Sequence, residues 1–591
     1  KQIDIRTVTQ TSNTAYSIYK DKQGELWIFS NTPGIVRLNL NTGEKQHLAT
    51  PSKEIINYGR PNRNIIFEDK AGVLWMIPHK GNFCYDRAEK HLKPFYTDPT
   101  NPNSMFTPNV RFYYTDRQKN LWFTGIRGVE KVSFFPYSYK HTPIDYGLEV
   151  RGLWRDKQKR LWVASKKGTI RIYAPDGQLQ GYLNQQGTIS KDMVIFPDNI
   201  YCFMEDKDGI IWMGGKEKGL FRLEKKDETH FSIQQFTNQP ENKYSLSNNS
   251  VYSICQDSHN RIWIGCFGGG INLLTKSTDG KIRFIHSNNE LKNFPTSHFM
   301  KVRCITEVSG GVIIAGTTEG LLTFSNNFEQ PEEIKFHQNI RNPGIASSLG
   351  SNDVINIYTD SRKTIYISTF TGGVSKVLSR NLLNSDIEFK TYTIRDGLAS
   401  DLVLSTIEDT EKNLWIVSEN TLSRFNPQLE TFENYGSNFL QQEFNFSEAA
   451  PSLNAKQQLV FGTDKGFIEI SPSDMKKSDY VPPIVFTGLK IQGSPSPTGI
   501  DDLQELVLNP SQRNITFQFA ALDYVAPEEI QYAYRLEGLE HEWNDADNNR
   551  SASYINLPAG EYRLQVRSTN SDGVWVDNTH TLIVKVSPTF W

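Results

Sequence analysis

The sequence has little cysteine, no excess of either charge and no long hydrophobic run. Only 5 of its 591 residues are cysteine, and no two form a Cys-x-x-Cys pair, so neither a zinc site nor a redox motif is predicted. Lys and Arg total 64 against 66 Asp and Glu, whereas nucleic-acid-binding domains usually carry a basic excess. No run of about 18 apolar residues is present, so no membrane-spanning segment is predicted within the chain.

The motifs of common catalytic and cofactor sites are also missing. The 11 histidines are scattered, and neither His-Glu-x-x-His nor Gly-x-Ser-x-Gly occurs. The glycine run 268–270 lacks the lysine of a phosphate-binding loop. Acidic pairs such as Glu528-Glu529 lie in loop-like segments, where carboxylates are normally solvated. We therefore predict no catalytic residue, no metal ligand and no cofactor for this chain.

A repeated unit accounts for most of the chain. Its clearest copy opens at Val251, turns at Asp257-Ser-His-Asn260 and resumes at Ile262-Trp263. Seven units carry a plain Leu/Ile-Trp mark: Leu26-Trp27, Leu74-Trp75, Leu121-Trp122, Leu161-Trp162, Ile211-Trp212, Ile262-Trp263 and Leu414-Trp415. Three carry a degenerate mark: Val312-Ile313, Ile365-Tyr366 and Leu459-Val460. Successive marks lie 40 to 53 residues apart, which is the length of a four-stranded propeller blade.

The residues of the unit have a physical logic. In Asp206-Lys-Asp-Gly209 the aspartate can accept hydrogen bonds from the backbone ahead of it, and the glycine can adopt the positive φ of a tight turn. The tryptophan then opens the second strand and is expected to be buried between units. Because they recur, we interpret the aspartates and tryptophans as turn and core residues. The tryptophans expected at equivalent buried positions are Trp162, Trp212, Trp263 and Trp415.

This unit resembles the regulator-propeller repeats of hybrid two-component sensors, best known in gut Bacteroidetes. The C-terminal segments Pro482–Ile491, Ile515–Tyr524 and Gln531–Gly538 are similar to the Tyr-rich juxtamembrane β-sandwich of the same sensors. The sandwich tyrosines are expected to be core and corner residues, with a dimer contact as the alternative: Tyr532, Tyr534, Tyr554 and Tyr562.

The predicted fold class is all-β. Counting back from the sandwich, seven blades run from the Leu161-Trp162 unit to the Leu459 unit. We predict a partial N-terminal propeller of about three blades at 1–140, a seven-bladed propeller at 141–480, and an immunoglobulin- or fibronectin-like sandwich at 481–591. The family usually has two seven-bladed propellers, so its first blades would be missing here. Residues 133–140 are interpreted as a crossover, and a single ten-bladed ring is the alternative.

One position varies inside this repetitive frame. The residue after the Val-like opening residue of the first strand is Arg or Tyr in several blades. Tyrosine offers a flat face and a hydroxyl to a sugar ring, and arginine offers a fork to a carboxylate or sulfate. We predict a ligand site at a propeller mouth, or in the groove between propellers, formed by some of Arg111, Arg151, Tyr201, Tyr252 and Arg303. The alternative is that these side chains only pair with neighbouring blades.

The resemblance implies a periplasmic sensor domain that binds a glycan-derived oligosaccharide, and the arginines favour an anionic one. It further implies a homodimer formed through the sandwich and regulation of polysaccharide-utilisation genes. In the family Pro-x-Phe-Trp leads into a transmembrane helix, so Pro588-Thr-Phe-Trp591 would lie at the outer face of the inner membrane. The chain starts at Lys1 rather than Met, and we interpret it as part of a longer protein whose kinase, receiver and DNA-binding modules lie elsewhere. No nucleic-acid contact is expected from this chain.

Two other functions are compatible with a propeller. A carbohydrate-active propeller enzyme, lyase or glycosidase, would release cleavage products from a polysaccharide. A protein-interaction scaffold would show no binding to a panel of oligosaccharides.

Overall fold

The computed structural model describes residues 15–30, 35–48, 65–68, 73–77, 82–87, 90–95, 112–125, 128–133, 139–144, 148–440, 443–496 and 499–588. Over these ranges the regular structure is almost entirely β-strand. The exceptions there are the helical turn α1 (Ser437–Leu440) and short 3-10 helices at Pro331–Glu333, Ile394–Asp396 and Pro472–Asp474. The predicted all-β fold class is confirmed. None of the helices in these ranges has the length and apolar character needed to cross a membrane.

The chain forms two compact units, residues 138–476 and residues 1–137 together with 477–591. The first unit is a ring of seven sheets, and the second contains three N-terminal sheets and the C-terminal sandwich. The three-domain bounds of 1–140, 141–480 and 481–591 remain predictions.

Three antiparallel sheets form the N-terminal part, and each contains one of the first three repeat marks. The first sheet is β1 (Ala15–Lys20), β2 (Glu25–Ser30), β3 (Ile35–Asn39) and β4 (Lys45–Leu48). The second is β5 (Ile65–Glu68), β6 (Leu74–Ile77), β7 (Asn82–Asp86) and β8 (His91–Phe95). The third is β9 (Phe112–Thr115), β10 (Leu121–Thr124) and β11 (Val129–Val132). These sheets are the predicted part of a second propeller.

The ring follows, with one sheet for each of the remaining seven marks. It opens with β12 (Tyr139–Pro143), which belongs to the last sheet. The first three blades are β13 (Val150–Arg155), β14 (Leu161–Ser165), β15 (Ile170–Tyr173), β16 (Leu179–Leu183) and β17 (Ile189–Ser190); β18 (Ile200–Glu205), β19 (Ile211–Gly215), β20 (Leu220–Lys225) and β21 (Phe231–Phe236); and β22 (Val251–Gln256), β23 (Ile262–Cys266), β24 (Gly270–Lys276) and β25 (Ile282–Ile285).

The next four blades complete the ring. They are β26 (Val302–Val308), β27 (Val312–Thr317), β28 (Gly320–Ser325) and β29 (His337–Asn339); β30 (Val354–Thr359), β31 (Ile365–Thr369), β32 (Val374–Val377) and β33 (Phe389–Tyr392); β34 (Ser405–Glu408), β35 (Leu414–Val417), β36 (Leu422–Asn426) and β37 (Thr431–Tyr435); and β38 (Ser452–Leu453), β39 (Leu459–Thr463) and β40 (Gly466–Ile470) with β12. The predicted count of seven blades is confirmed, and the ten-bladed ring is not observed.

The ring closes by strand exchange in its last blade. Strand β12 runs antiparallel to β40, with Tyr139 opposite Ile470 and Pro143 opposite Gly466. The chain therefore supplies the outer strand of the seventh blade before it builds the first blade. The interpretation of residues 133–140 as a crossover is wrong for Tyr139 and Lys140, which belong to β12. The repeat pattern gives no signal for β12, because this strand carries no mark of its own.

The repeat residues have the predicted roles. The Asp206 carboxylate accepts hydrogen bonds from the backbone N–H groups of Asp208 and Ile210 at 3.0 and 2.9 Å, and Gly209 has a φ of 78°. The four tryptophans expected to be equivalent are all buried. The sequence reasoning did not predict a contact between the two residue types: the indole N–H of Trp212 donates to Asp206 at 2.9 Å.

Adjacent blades are joined by a recurring hydrogen bond. An acid or amide in the last two positions of the first strand of one blade accepts from a backbone N–H in the Asp turn of the preceding blade. The donor–acceptor pairs are Lys157–Glu205 at 3.0 Å, Lys207–Gln256 at 2.9 Å, Ser258–Glu307 at 2.6 Å and Ser361–Glu408 at 2.9 Å. This bond fixes each turn against its neighbour.

The C-terminal sandwich contains two sheets, one of strand order β42-β41-β44-β47 and one of β43-β49-β48-β45-β46. The strands are β41 (Ile484–Ile491), β42 (Ser494–Pro495), β43 (Glu505–Leu508), β44 (Ile515–Ala521), β45 (Tyr532–Glu537), β46 (Asn544–Asp547), β47 (Ser551–Tyr554), β48 (Gly560–Ser568) and β49 (His580–Val586). Residues such as Phe517, Leu564 and Val584 alternate into a shared core. Tyr532, Tyr554 and Tyr562 are buried and Tyr534 is half-buried.

Candidate functional site at the mouth of the ring

The innermost strands of five successive blades open with a β-bulge. In β22, Val251 pairs with Cys266 and Ser253 pairs with Gly265, so Tyr252 is the extra residue. The same shift isolates Arg151 in β13, Tyr201 in β18, Arg303 in β26 and Ile355 in β30. A bulge redirects the side chain of its extra residue. The position that varies in sequence is therefore the bulge position, which is free of the pairing that constrains the rest of the strand.

These bulges bring four of the predicted site residues together. Arg151, Tyr201, Tyr252 and Arg303 line one cavity. Two residues outside the predicted set, Ile355 and Glu448, complete its lining. The fifth predicted residue, Arg111, lies outside the described residues.

The cavity is small. Its volume is about 60 Å³, whereas pockets that enclose a drug-sized ligand measure about 300–1,000 Å³. It can hold one functional group, such as a carboxylate, a sulfate or a hydroxyl. The remainder of any larger ligand would have to lie across the face of the ring.

The arginines and tyrosines of the cavity form a continuous stack together with Phe267, which lies outside the cavity lining. The ring centroids of Tyr201 and Tyr252 are 4.8 Å apart in an edge-to-face arrangement, and Tyr252 stacks on Phe267 at 4.9 Å with an interplanar angle of 18°. The Arg151 guanidinium carbon lies 5.6 Å from the Tyr201 ring, and that of Arg303 lies 5.5 Å from the Phe267 ring. Both distances are within the range of cation–π attraction, so each aromatic ring is held by neighbours on both sides.

Carboxylates partner both arginines. Arg303 donates from Nε and Nη2 to the two carboxylate oxygens of Asp353 at 3.0 and 3.4 Å. Arg151 lies 3.1 Å from Glu149 and 3.6 Å from Glu448. The alternative reading of the varied position, pairing with neighbouring blades, is thus observed for both arginines. It does not exclude a ligand, because the same side chains also line the cavity.

The two tyrosines keep their hydroxyl protons at physiological pH. Burial raises the pKa of Tyr201 to about 12, although the nearby Arg151 guanidinium opposes the shift. Burial also raises the pKa of Tyr252, and the Glu448 carboxylate adds to the effect. Both hydroxyls can therefore donate a hydrogen bond to a sugar oxygen and accept one in return.

Comparison of the repeats did not identify Glu448, because no Val-like residue opens the first strand of the last blade. The Ser447 N–H donates to the Gly462 carbonyl at 3.0 Å, which places Ser447 beside the second strand of the last blade. Leu404 of the sixth blade similarly donates to the Val417 carbonyl at 2.8 Å. The varied position of the last blade is therefore Ser447, and Glu448 lies one residue beyond it, so an alignment of the repeats does not identify Glu448.

The described residues contain no group of three or more His, Cys, Asp or Glu side chains able to hold a metal ion. Cys202, Cys255, Cys266 and Cys304 are free thiols. The side chains that line the cavity can form hydrogen bonds, ion pairs and ring contacts.

These features define a class of protein: a seven-bladed β-propeller with additional blade-like sheets, an appended β-sandwich and a polar cavity lined by the bulges of the innermost strands. Comparison with known proteins narrows the class. The family profile described as two component regulator propeller matches residues 9–32, 195–217 and 245–268. The Y_Y_Y domain matches residues 523–587, within the sandwich.

Two relatives agree with these matches. A curated protein named histidine kinase P4, from Formosa agariphila, is 23% identical over 410 residues, which are 67% of this chain and 25% of the relative. The chain thus spans about a quarter of the length of that relative. The extracellular domain assigned to a hybrid two-component system, BT3049 of B. thetaiotaomicron, has the same fold with a TM-score of 0.71 and 20% identity, covering 98% of this chain and 73% of that one. The predicted resemblance to the propeller-and-sandwich region of hybrid two-component sensors is confirmed.

Proposed function

We propose that this chain is the extracytoplasmic sensor domain of a hybrid two-component histidine kinase, and that it binds a glycan-derived oligosaccharide at the mouth of the seven-bladed ring. The observation that carries the proposal is the cavity lined by Arg151, Tyr201, Tyr252 and Arg303. The regulator-propeller and Y_Y_Y matches support the sensor role. A receptor of this kind would use the bound glycan to regulate polysaccharide-utilisation genes.

The chemistry of the cavity supports a sugar ligand. Tyr201 and Tyr252 provide flat rings and neutral hydroxyls, and two arginines supply charged donors at opposite ends of the aromatic stack. Since the cavity holds only one functional group, we propose that a carboxylate or sulfate of one sugar unit enters it. The neighbouring sugar units would then lie on the exposed face of the ring.

The experiment is calorimetric titration of the purified chain with a panel of neutral, uronic-acid-containing and sulfated oligosaccharides. For the oligosaccharide that binds, we expect Arg151→Gln with Arg303→Gln to weaken the affinity at least about tenfold, the scale of one lost charged hydrogen bond. Arg222→Gln is the control, because Arg222 pairs with Glu224 at 3.2 Å and does not line the cavity. Unchanged affinity in the double variant would exclude the mouth of the ring as the site.

The remaining parts of the proposal concern the parent receptor. We propose that the chain lies in the periplasm, that a membrane helix follows Trp591, and that two copies associate through the sandwich. An inner-membrane receptor regulated by dimerisation needs a domain that forms the dimer contact close to the bilayer. Analytical ultracentrifugation of the purified chain, with and without the oligosaccharide identified by calorimetry, tests the association directly.

A further inference from the structure

The two cavity arginines are partnered in different ways. Arg303 donates two hydrogen bonds to Asp353, one from its Nε and one from a terminal nitrogen, and Asp353 thus holds it in a two-point fork. Arg151 has no such fork: one terminal nitrogen lies 3.1 Å from Glu149 and the other lies 3.6 Å from Glu448. The Nε of Arg151 is buried and makes no hydrogen bond. Of the two cavity arginines, Arg151 therefore keeps unused capacity for two-point binding of an anion.

Glu448 is the weaker of the two partners of Arg151. Its distance of 3.6 Å is too long for a hydrogen bond. Its side chain is 42% exposed, against 18% for Arg151, so its carboxylate can move into water without losing a buried contact. Ion pairs of this exposed kind contribute little to stability.

Glu149 is better placed to remain with Arg151. It precedes Arg151 by two residues, its side chain is less exposed than that of Glu448, and it also lies 3.5 Å from Lys166. Of the carboxylates around the cavity, Asp353 and Glu149 therefore serve as fixed counter-charges, whereas Glu448 is replaceable.

We propose that Glu448 is an internal competitor that occupies the anion position of Arg151, and that a carboxylate or sulfate group of the ligand exchanges with it. The exchange keeps the local charge constant, because one carboxylate leaves as one anion enters. Glu448 thereby determines specificity. A single anionic group of the ligand can replace the Glu448 carboxylate, whereas a neutral hydroxyl cannot replace the negative charge that is lost when Glu448 moves away. This inference deepens the proposed function and rests on it for the nature of the ligand.

The test uses sodium D-glucuronate as the anionic probe and D-glucose as the matched neutral probe, titrated calorimetrically at low ionic strength, where ion pairing is least screened. In Glu448→Gln we expect the affinity for glucuronate to rise about two- to fivefold, the scale of one partly exposed ion pair. The affinity for glucose should not change. Arg151→Gln should abolish glucuronate binding.

A matched control is available in the sixth blade. Glu411 pairs with Arg424 at almost the same exposures, 50% and 18%, but lies in the turn at the far end of the first strand. Glu411→Gln should leave glucuronate binding as in the wild type. Unchanged or weaker glucuronate binding in Glu448→Gln, or no binding in that variant at any accessible concentration, would overturn the exchange. Either result would leave the sensor proposal to be decided by the oligosaccharide panel.

Discussion

At the residue scale, one aspartate accepts hydrogen bonds from both the turn backbone and an indole in six repeats of the described part of the chain. One oxygen of Asp257 accepts from the backbone N–H groups of the turn, and the other accepts from the indole of Trp263 at 3.0 Å. The same indole bond, between residues six apart, recurs at 2.8 to 3.0 Å in five further units: Asp21–Trp27, Asp116–Trp122, Asp156–Trp162, Asp206–Trp212 and Asp409–Trp415. A buried indole N–H needs an acceptor, so the turn residue also allows the tryptophan to be buried.

This arrangement leads to a prediction for Trp263. Trp263→Ala should lower the free energy of unfolding by about 3–5 kcal/mol, because it leaves a large cavity in the core. Urea denaturation followed by circular dichroism measures the change. Trp575, whose side chain is 44% exposed, is the control, and Trp575→Ala should cost less than half as much. Equal costs for the two variants would contradict the role of Trp263 in the core.

The residue roles were largely predictable, and the bonds between them were not. Recurrence of Asp and Trp indicates turn and core positions, since each type has a strong local preference. The glycine position is less strict than the motif suggests: Lys159, Asn260 and Lys412 adopt the same positive φ of 64° to 70°. A repeat pattern reports what each position tolerates, whereas the acceptor of a given N–H depends on three-dimensional geometry.

At the element scale, the bond between blades depends on an acid or amide in the last two positions of the first strand. Glu408 is buried and accepts from both the backbone N–H and the hydroxyl of Ser361, each at 2.9 Å. Gln256 accepts the equivalent N–H in the third blade, so an amide oxygen is sufficient there. This bond was not predicted from the sequence, because a position that holds glutamate in some blades and glutamine in another does not form a recognisable motif.

Glu408 provides the second stability prediction. Glu408→Ala should lower the free energy of unfolding by about 1–3 kcal/mol, because the N–H of Ser361 loses its buried acceptor. Glu408→Gln should cost clearly less, as the presence of Gln256 in another blade indicates. Thermal and urea denaturation of both variants provide the measurement. An alanine variant as stable as the glutamine variant would show that the bond between blades contributes nothing.

The bulges show why four cavity residues could be predicted and Glu448 could not. Sequence alignment identifies the position after the Val-like residue in blades whose first strand keeps that residue. In the last blade Phe446 pairs with Thr463 as Val251 pairs with Cys266, so the varied position is Ser447 and Glu448 lies one residue beyond the pattern. The partners Glu149 and Asp353 were equally hidden, because ion pairing depends on the distance between side chains of different strands and blades.

At the scale of the whole molecule, one of the two compact units is built from the two ends of the chain rather than from one continuous segment. The N-terminal sheets share a unit with the C-terminal sandwich. Within it, the Gln118 amide donates to Asp523 at 2.7 Å and accepts from the Tyr524 N–H at 2.8 Å. The rings of Trp122 and Tyr524 meet edge to face at 5.4 Å. These contacts attach the third N-terminal sheet to the sandwich, and repeat counting gives no indication of them.

The same connectivity bears on signalling in the proposed receptor. The ring is joined to the other unit by the chain at 137/138 and at 476/477, and the strands next to these two junctions, β12 and β40, are paired neighbours in one blade. Both strands belong to the last blade of the ring. A ligand can shift the arrangement of the two units only if it binds one arrangement more tightly than another.

We therefore expect glycan binding to change the separation of the two Trp591 ends in the proposed dimer, with each sandwich moving as a rigid body. The measurement is a distance distribution between spin labels placed close to Trp591 in the membrane-embedded receptor, with and without saturating oligosaccharide. The variant Arg151→Gln with Arg303→Gln is the control, because it should keep the unliganded distribution at every ligand concentration. The isolated chain should dimerise more weakly than the receptor, in which the proposed membrane helices would raise the effective concentration. A distribution that saturating ligand leaves unchanged in the wild-type receptor would exclude this mechanism, whereas binding at the mouth of the ring would still be judged by calorimetry.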